Sequence, residues 1–145
     1  MIRKMVISDY AEVYNLWLSC KGMGLNDVDD SEIGIAKFLE RNPDTCFVAE
    51  TDNKIVGVIM AGNDGRRGYI YHTAVHPSCR KQGIGSRLVQ TAMDALKQLG
   101  ICKVALVVFE QNQSGNAFWE KQGFTVRTDL TYRNKSLAEM IRIDT

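Results

Sequence analysis

The chain has 145 residues, of which 45% are hydrophobic and 24% charged, and its formal net charge is +1. This length fits a single domain that buries enough apolar surface to fold without disulfides or structural metals. The near-neutral charge and the lack of a basic stripe with interleaved aromatic residues argue against a nucleic-acid partner. The N-terminal residues lack the apolar run of a secretory signal, and no stretch approaches the ~20 apolar residues that span a bilayer. We therefore expect a cytoplasmic protein that has no membrane partner.

Four cysteines occur, and none of them shows the C-x-x-C spacing of a zinc site or a redox motif: Cys20, Cys46, Cys79 and Cys102. We interpret them as reduced thiols and expect neither disulfides nor a bound metal.

The first part of the chain predicts one strand and two helices, at 1–7, 10–20 and 31–41. Ser8-Asp9 can cap the first helix, and Asn42-Pro43 ends the second because the residue before a proline disfavours the helical region. Between the two helices lies a loop, 21–30, that contains glycines and acidic residues.

Three antiparallel strands are predicted next, at 46–49, 55–60 and 69–75. A long amphipathic helix begins at Ile84, and Gly100 ends it. The run 104–109 is apolar on both faces, which predicts a central strand. The predicted elements that complete the chain are a short helix at 113–122 and two strands at 124–130 and 137–143. The whole chain, 1–145, therefore reads as one mixed α/β domain without repeats or linkers.

The most informative stretch runs from Arg80 to Ser86, between a predicted strand and the long helix. Its two glycines, Gly83 and Gly85, let the backbone turn sharply and approach a ligand closely. The first amides of a helix have no internal partners and carry the positive end of the helix dipole. The stretch therefore predicts a phosphate-binding site, to which Arg80 and Lys81 add positive charge.

Three classes of phosphate ligand compete for this loop. A P-loop needs Gly-Lys-Ser/Thr after its spacer, which is absent here. A dinucleotide fingerprint needs three glycines early in a βαβ unit, whereas this loop has two glycines and follows three antiparallel strands. Coenzyme A is the third ligand and the one that we favour, and a nucleotide such as ATP stays an alternative.

A family resemblance supports coenzyme A. Val75-His76-Pro77, Arg80-x-x-Gly83-x-Gly85, Asn112 and Gly123-Phe124 together resemble the GNAT superfamily of N-acetyltransferases. The order of predicted elements matches that fold over nearly the whole chain. The resemblance implies a single-domain GNAT-like fold, with a mixed, mostly antiparallel sheet flanked by helices. It also implies acetyl transfer from acetyl-CoA to an amine, without a metal.

The resemblance assigns a cofactor site. It places the pyrophosphate of acetyl-CoA on backbone amides of the loop and the helix start: Arg80 or Lys81, Gln82, Gly83, Gly85 and Ser86. The strands that end at Val75 and near Phe109 are expected to splay apart and to hold the pantetheine arm by strand-like pairing. Asn112 matches the family asparagine that contacts this arm, and it can also cap the following helix.

In this family the amine attacks the thioester directly, so no covalent enzyme intermediate is required. A lysine-like amine has a pKa of about 10.4, so it needs a base or a desolvating pocket at neutral pH. Family members with a glutamate base carry it six residues before the valine, where this chain has Tyr69. Tyr71 and His72 are the nearby candidates, acting through an ordered water, and the alternative for His72 is a side chain that is only packed and hydrogen-bonded. Strand alternation puts the two on opposite faces, so at most one faces the substrate.

Two further roles follow from the resemblance. The backbone N–H of Val75, which also lies in the cofactor site, is expected to stabilise the oxyanion. Family members often have a tyrosine acid four residues before the Gly-Phe glycine, where this chain has Trp119. An indole N–H donates a hydrogen bond but cannot give up its proton. Trp119 therefore either supports slower chemistry beside the leaving thiolate or only packs.

The sequence leaves the acceptor open, beyond a small-molecule or peptide amine. The acidic residues of the 21–30 loop suit a cationic amine or only a helix start, whereas Arg66 and Arg67 suit an acidic acceptor or only a solvated turn. Trp119 and the missing strand carboxylate motivate a rival hypothesis, a non-catalytic acyl-CoA-binding or sensing module. Dimers are common in the family, and the predicted last strand offers an exposed edge for a homodimer.

Overall fold

The computed structural model describes residues 1–144 as five strands and four α-helices. The strands are β1 (Ile2–Lys4), β2 (Phe47–Thr51), β3 (Lys54–Asn63), β4 (Gly68–Val75) and β5 (Val104–Ala105). The helices are α1 (Tyr10–Leu18), α2 (Glu32–Arg41), α3 (Ile84–Gln98) and α4 (Gln113–Lys121). The strands form one sheet in the order β1-β2-β3-β4-β5.

The sheet is mixed and mostly antiparallel, as the sequence predicts. Strands β1 to β4 pair antiparallel with their neighbours, and β5 joins β4 in parallel. The hairpin between β2 and β3 turns at Asp52 and Asn53, whose φ angles are 54° and 62°. Asp and Asn tolerate positive φ, and a two-residue hairpin turn needs it at both central positions. The polar turn in the sequence therefore sets where the hairpin closes.

Two apolar clusters, one on each face of the sheet, hold the helices in place. Helices α1 and α2 pack on one face, where Val13, Trp17 and Ile35 are at most 1% exposed. Helices α3 and α4 pack on the other face, where Leu88 and Leu96 are buried to the same degree. All four helices agree with the predicted ones within two residues. In α1, α2 and α3 the apolar positions recur at helical spacing, and Asn112 caps the start of α4. Within residues 1–144, none of the helices combines the length and the apolar character that crossing a membrane requires.

The predicted central strand at 104–109 is mostly absent. Only Val104–Ala105 pairs with β4, and β5 is the last strand in the sheet order. Val107 and Phe109 are 58% and 45% exposed. Pairing with β4 stops after two residues, and no strand pairs with the other edge of β5 within the described chain. The apolar run consequently lacks the partners that a buried strand needs.

The prediction of two C-terminal strands is wrong. Neither 124–130 nor 137–143 forms a strand, and a single isolated bridge joins Asn26 to Arg142. Strand-like sequence forms a strand only beside a partner edge in register, and the short β5 does not provide one. The exposed edge that the sequence offered for dimerisation therefore does not exist as a strand, and a homodimer stays a prediction.

A buried carboxylate ties β1 to the start of α1. The Arg3 guanidinium donates from Nη1 and Nη2 to the two Asp9 carboxylate oxygens at 2.9 and 2.8 Å. The backbone N–H of Val6 donates to the same carboxylate at 2.9 Å. The hydrogen bond from Arg3 is the main cause that lowers the pKa of Asp9.

Asp9→Asn is expected to lower the free energy of unfolding by about 1–3 kcal/mol at neutral pH, because it removes charge-assisted hydrogen bonds. The folded pKa of Asp9 lies below the unfolded value. Its contribution is therefore complete above the unfolded pKa and is lost as the pH falls through the folded pKa. Urea unfolding of both proteins at neutral and at acidic pH measures this difference. The difference in free energy of unfolding between the wild type and Asp9→Asn should be smaller at acidic pH. A difference of equal size at both pH values would contradict the stabilising role of the Asp9 carboxylate.

Candidate active site

The segment between β4 and α3 forms the predicted phosphate loop. Pro77–Cys79 is a single 3-10 turn, and the His76 imidazole accepts the Ser78 N–H at its start. Lys81 then adopts a positive φ of 64° and Gly83 one of 80°. The Val-His-Pro motif is thus explained locally, because His76 caps the turn and Pro77 occupies a position that needs no N–H.

The two glycines of the loop have different physical roles. Gly83 is the N-cap of α3, and a Cβ built there would meet nothing within 4 Å, so its positive φ is what favours glycine. A Cβ on Gly85 would come within 3.1 Å of the Phe118 ring, so this glycine lets α3 approach α4. No side chain caps the start of α3 within residues 1–144. The first amides of α3 are therefore available to an anion.

Arg80 supports the end of β4 with its side chain. Its Nε donates to the Val75 carbonyl oxygen at 3.1 Å, and its Nη2 lies 3.5 Å from Cys20 Sγ. The guanidinium thus contacts the strand and the end of α1. Lys81 and Gln82 are exposed in the loop itself.

The strands β4 and β5 pair only where they begin. Their parallel ladder consists of Gly68 with Val104 and Tyr69 with Ala105, whereas β4 continues to Val75. We call the gap beyond these pairs the wedge. The resemblance implied that a strand ending near Phe109 would splay from β4, whereas β5 ends at Ala105, so only the early end of the pairing is observed.

The backbone N–H of Val75 faces the wedge. Val75 pairs with Gly57 on β3, and the His76 N–H donates to the Val56 carbonyl at 2.8 Å. In an antiparallel ladder this makes Val75 and Gly57 a pair that is not hydrogen-bonded, so their own N–H and C=O groups turn away from each other. The side of β4 away from β3 is the wedge side.

A β-bulge in β4 places Tyr71 and His72 on one face of the sheet. Tyr71 pairs with Met60 and Ala74 with Val58, so two residues of β4 oppose one of β3, and His72 has a φ of 42°. The Tyr71 and His72 rings lie 6.3 Å apart. The expectation that they point to opposite faces is therefore wrong, because a bulge breaks the two-residue alternation of a strand.

Tyr71 belongs to an aromatic cluster on this face. Its ring lies 4.7 Å from the Tyr69 ring and 5.6 Å from Phe38 of α2. Burial raises the pKa of Tyr69 to about 12 and also raises that of Tyr71. Both phenols are consequently protonated at physiological pH, and neither is ready to accept a proton.

His72 contacts a buried carboxylate. Its Nε2 lies 2.7 Å from Asp30 Oδ1, and the two side chains are 15% and 3% exposed. Trp17 Nε1 donates to the His72 carbonyl at 3.0 Å, and the two rings lie 5.1 Å apart in an edge-on arrangement. The sequence gives no signal for the pair of Asp30 and His72, because 42 residues separate them.

Helix α4 carries the last two predicted site residues. Asn112 caps this helix, since its Oδ1 accepts the Gly115 N–H at 2.9 Å. The Trp119 ring lies edge-on between Phe118 and Phe124, at 5.0 and 5.2 Å. The capping interpretation of Asn112 is confirmed, and Trp119 does pack in an aromatic cluster. Within the described residues, no group of three or more histidine, cysteine or carboxylate side chains could hold a metal.

Comparison with known proteins identifies the family. A family model described as "Acetyltransferase (GNAT) family" matches residues 10–124. An acetyltransferase of Sodalis glossinidius is 33% identical over 138 residues, which cover 95% of this chain and 96% of the relative. One of Photorhabdus laumondii is 38% identical over 120 residues, 83% of this chain and 82% of the relative. The PaiA N-acetyltransferase of Thermoplasma acidophilum, solved in complex with coenzyme A, shares the fold at a TM-score of 0.76 and 22% identity, over 88% and 90% of the two chains. The chain therefore belongs to the GNAT family and is an acyltransferase.

Proposed function

We propose that this protein transfers the acetyl group of acetyl-CoA to a primary amine, and that the amine attacks the thioester directly. The observation that carries the proposal is the uncapped start of α3, which follows the positive-φ Gly83 and the end of the splayed strand β4. Free backbone amides at the start of a helix suit the pyrophosphate of coenzyme A. The coenzyme A complex of the related PaiA fold supports this choice of cofactor.

The cofactor site extends from the phosphate loop into the wedge. The backbone amides expected to hold the pyrophosphate are those of Arg80 or Lys81, Gln82, Gly83, Gly85 and Ser86. The pantetheine arm would then lie along β4, which within the described residues has no strand partner on the wedge side beyond Tyr69. Asn112 keeps its Nδ2 group for the arm while its Oδ1 caps α4. Capping and cofactor binding are therefore compatible for this residue.

The Val75 N–H is assigned to the oxyanion. It points into the wedge, where the thioester carbonyl would lie, and it has no partner on β3. Such a fixed donor stabilises the charge that develops on the carbonyl oxygen as the amine attacks.

His72 is assigned as the base in preference to Tyr71. A phenol accepts a proton only when it is ionised, and burial raises the pKa of Tyr71. An imidazole ring nitrogen with a free lone pair accepts a proton directly. Trp119 is assigned a hydrogen bond to the leaving thiolate, which then takes its proton from elsewhere because indole does not give up its own.

The experiment is CoA release from acetyl-CoA in the presence of a panel of primary amines, with the products identified by mass. Small metabolite amines, amino acids and peptides form the panel. The proposal predicts thiol release that depends on the amine and equals the amide formed. The rival sensing module, which Trp119 favours, predicts acetyl-CoA binding without turnover across the whole panel. A higher turnover rate in Trp119→Tyr would show that protonation of the leaving thiolate limits the reaction in the wild type.

A further inference from the structure

We propose that Asp30 is a positioning residue, which holds the His72 imidazole as the Nε2–H tautomer and leaves the Nδ1 lone pair to the acceptor amine. This inference rests on the proposed function, because it concerns the base of that reaction. It extends the site to the loop between α1 and α2.

The direction of the Asp30–His72 bond follows from the chemistry of the two groups. An ionised carboxylate only accepts hydrogen bonds, so the nitrogen 2.7 Å from Asp30 Oδ1 must carry the proton. A neutral imidazole has one N–H, so the lone pair is then on Nδ1. Within residues 1–144 no group bonds to Nδ1, and Nδ1 is not among the buried atoms that lack a partner. Nδ1 is therefore not completely sealed from solvent.

Asp30 is fixed on its own side of the bond. Its Oδ2 accepts the Asn26 N–H at 2.9 Å, and its carbonyl oxygen accepts the Tyr10 hydroxyl at 2.7 Å. The next residue, Ser31, caps α2, so the carboxylate also lies beside the positive end of a helix. A Cβ on Gly34 would come within 2.4 Å of the Val28 carbonyl oxygen, so the loop lies directly against α2. These contacts hold the Asp30 carboxylate in one orientation toward His72.

His72 is fixed as firmly on the other side. The bulge gives it a φ of 42°, which costs energy for a residue with a side chain. The Trp17 indole compensates part of this cost, because it donates to the His72 carbonyl at 3.0 Å and packs its ring against the imidazole. Strained backbone held by several neighbours is typical of a side chain that must point in one direction.

The proton balance of the step is simple. The neutral amine attacks the thioester carbon, and its excess proton passes to His72 Nδ1 as the N–C bond forms. The C–S bond then breaks, CoA leaves as a thiolate, and the imidazolium returns the proton directly or through water. The Asp30 carboxylate accepts a hydrogen bond from the transient imidazolium and stabilises its charge.

The tautomer can be measured without any turnover. The chain has only two histidines, so a long-range 1H–15N spectrum of protein labelled in its histidine rings shows two imidazoles, and His72→Asn assigns them. At alkaline pH, where imidazoles are neutral, we expect His72 as Nε2–H. In Asp30→Asn the carboxamide can donate to Nε2, and we expect Nε2–H to lose its dominance. Asp29→Asn, the same change one residue earlier, is the control and should leave the tautomer unchanged.

Kinetics give the second readout. Asp30→Asn is expected to lower kcat at least tenfold while the affinity for acetyl-CoA stays at the wild-type value. An Nδ1–H tautomer in the wild type, or wild-type kcat in Asp30→Asn, would overturn the inference. If the wild type shows the Nε2–H tautomer but acetylates no amine, the proposed function is overturned. The catalytic use of Asp30 and His72 is then overturned with it.

Discussion

His72→Asn is expected to lower kcat by about 10²–10⁴-fold, the usual contribution of a general base, without changing the affinity for acetyl-CoA. Asparagine is the suitable replacement because it tolerates the positive φ of 42° that the bulge imposes at this position. The variant therefore keeps the backbone but has no group that accepts the amine proton. Steady-state rates with the best amine and calorimetric titration with acetyl-CoA measure the two quantities separately.

Tyr71→Phe is the matched control for this experiment. It removes the phenol of the other candidate but keeps the ring that packs against Tyr69 and Phe38. Since burial raises the pKa of Tyr71, its phenol contributes no base at neutral pH, and kcat should stay within a few-fold of the wild type. A large loss in Tyr71→Phe together with a small loss in His72→Asn would reverse the assignment of the base.

Val75→Pro is expected to lower kcat by about 10²–10³-fold, the loss that follows when one oxyanion donor is removed. Proline has no N–H, and the Val75 N–H faces the wedge instead of β3, so the substitution removes no hydrogen bond of the β3–β4 ladder. The fold should persist, as circular dichroism and retained acetyl-CoA binding would show.

Two further variants serve as controls for Val75→Pro. Val75→Ala keeps the backbone N–H and should retain most of the turnover. Ala74→Pro removes an N–H that bonds to Val58 in the ladder, and it should destabilise the fold strongly. A Val75→Pro protein that binds acetyl-CoA and turns over at the wild-type rate would show that this N–H does not stabilise the oxyanion.

Features with a local cause could be predicted from the sequence. The four helices follow from apolar spacing and caps, such as Ser31 before α2 and Gly100 after α3. The β2–β3 hairpin follows from the Asp52-Asn53 turn. The phosphate loop was visible because Gly83 and Gly85 immediately precede or open a helix. In each case neighbouring residues in the chain decide the conformation.

Features that depend on distant contacts could not be predicted. The β4 bulge arises in the pairing of β4 with β3, so period-two alternation assigned Tyr71 and His72 to the wrong faces. The contact of His72 with Asp30 joins two elements 42 residues apart. The segments 124–130 and 137–143 have strand-like sequence, but the Leu25–Asp27 loop, not a sheet edge, binds the end of the chain, through Ile141 and Ile143. The strand propensity of these segments was not enough to form a strand, because no sheet edge was available to pair with them.

Calorimetric titration of acetyl-CoA into the wild type, Gly83→Glu and Gly83→Ala tests most directly whether the loop before α3 binds coenzyme A. We expect micromolar binding by the wild type and none by Gly83→Glu, because a glutamate places negative charge at the start of α3, where the pyrophosphate would bind. Gly83→Ala carries only the backbone strain of a positive φ of 80°, about 1–2 kcal/mol, and should still bind measurably. No binding by the wild type, or equal binding by Gly83→Glu, would contradict the assignment of this loop to coenzyme A.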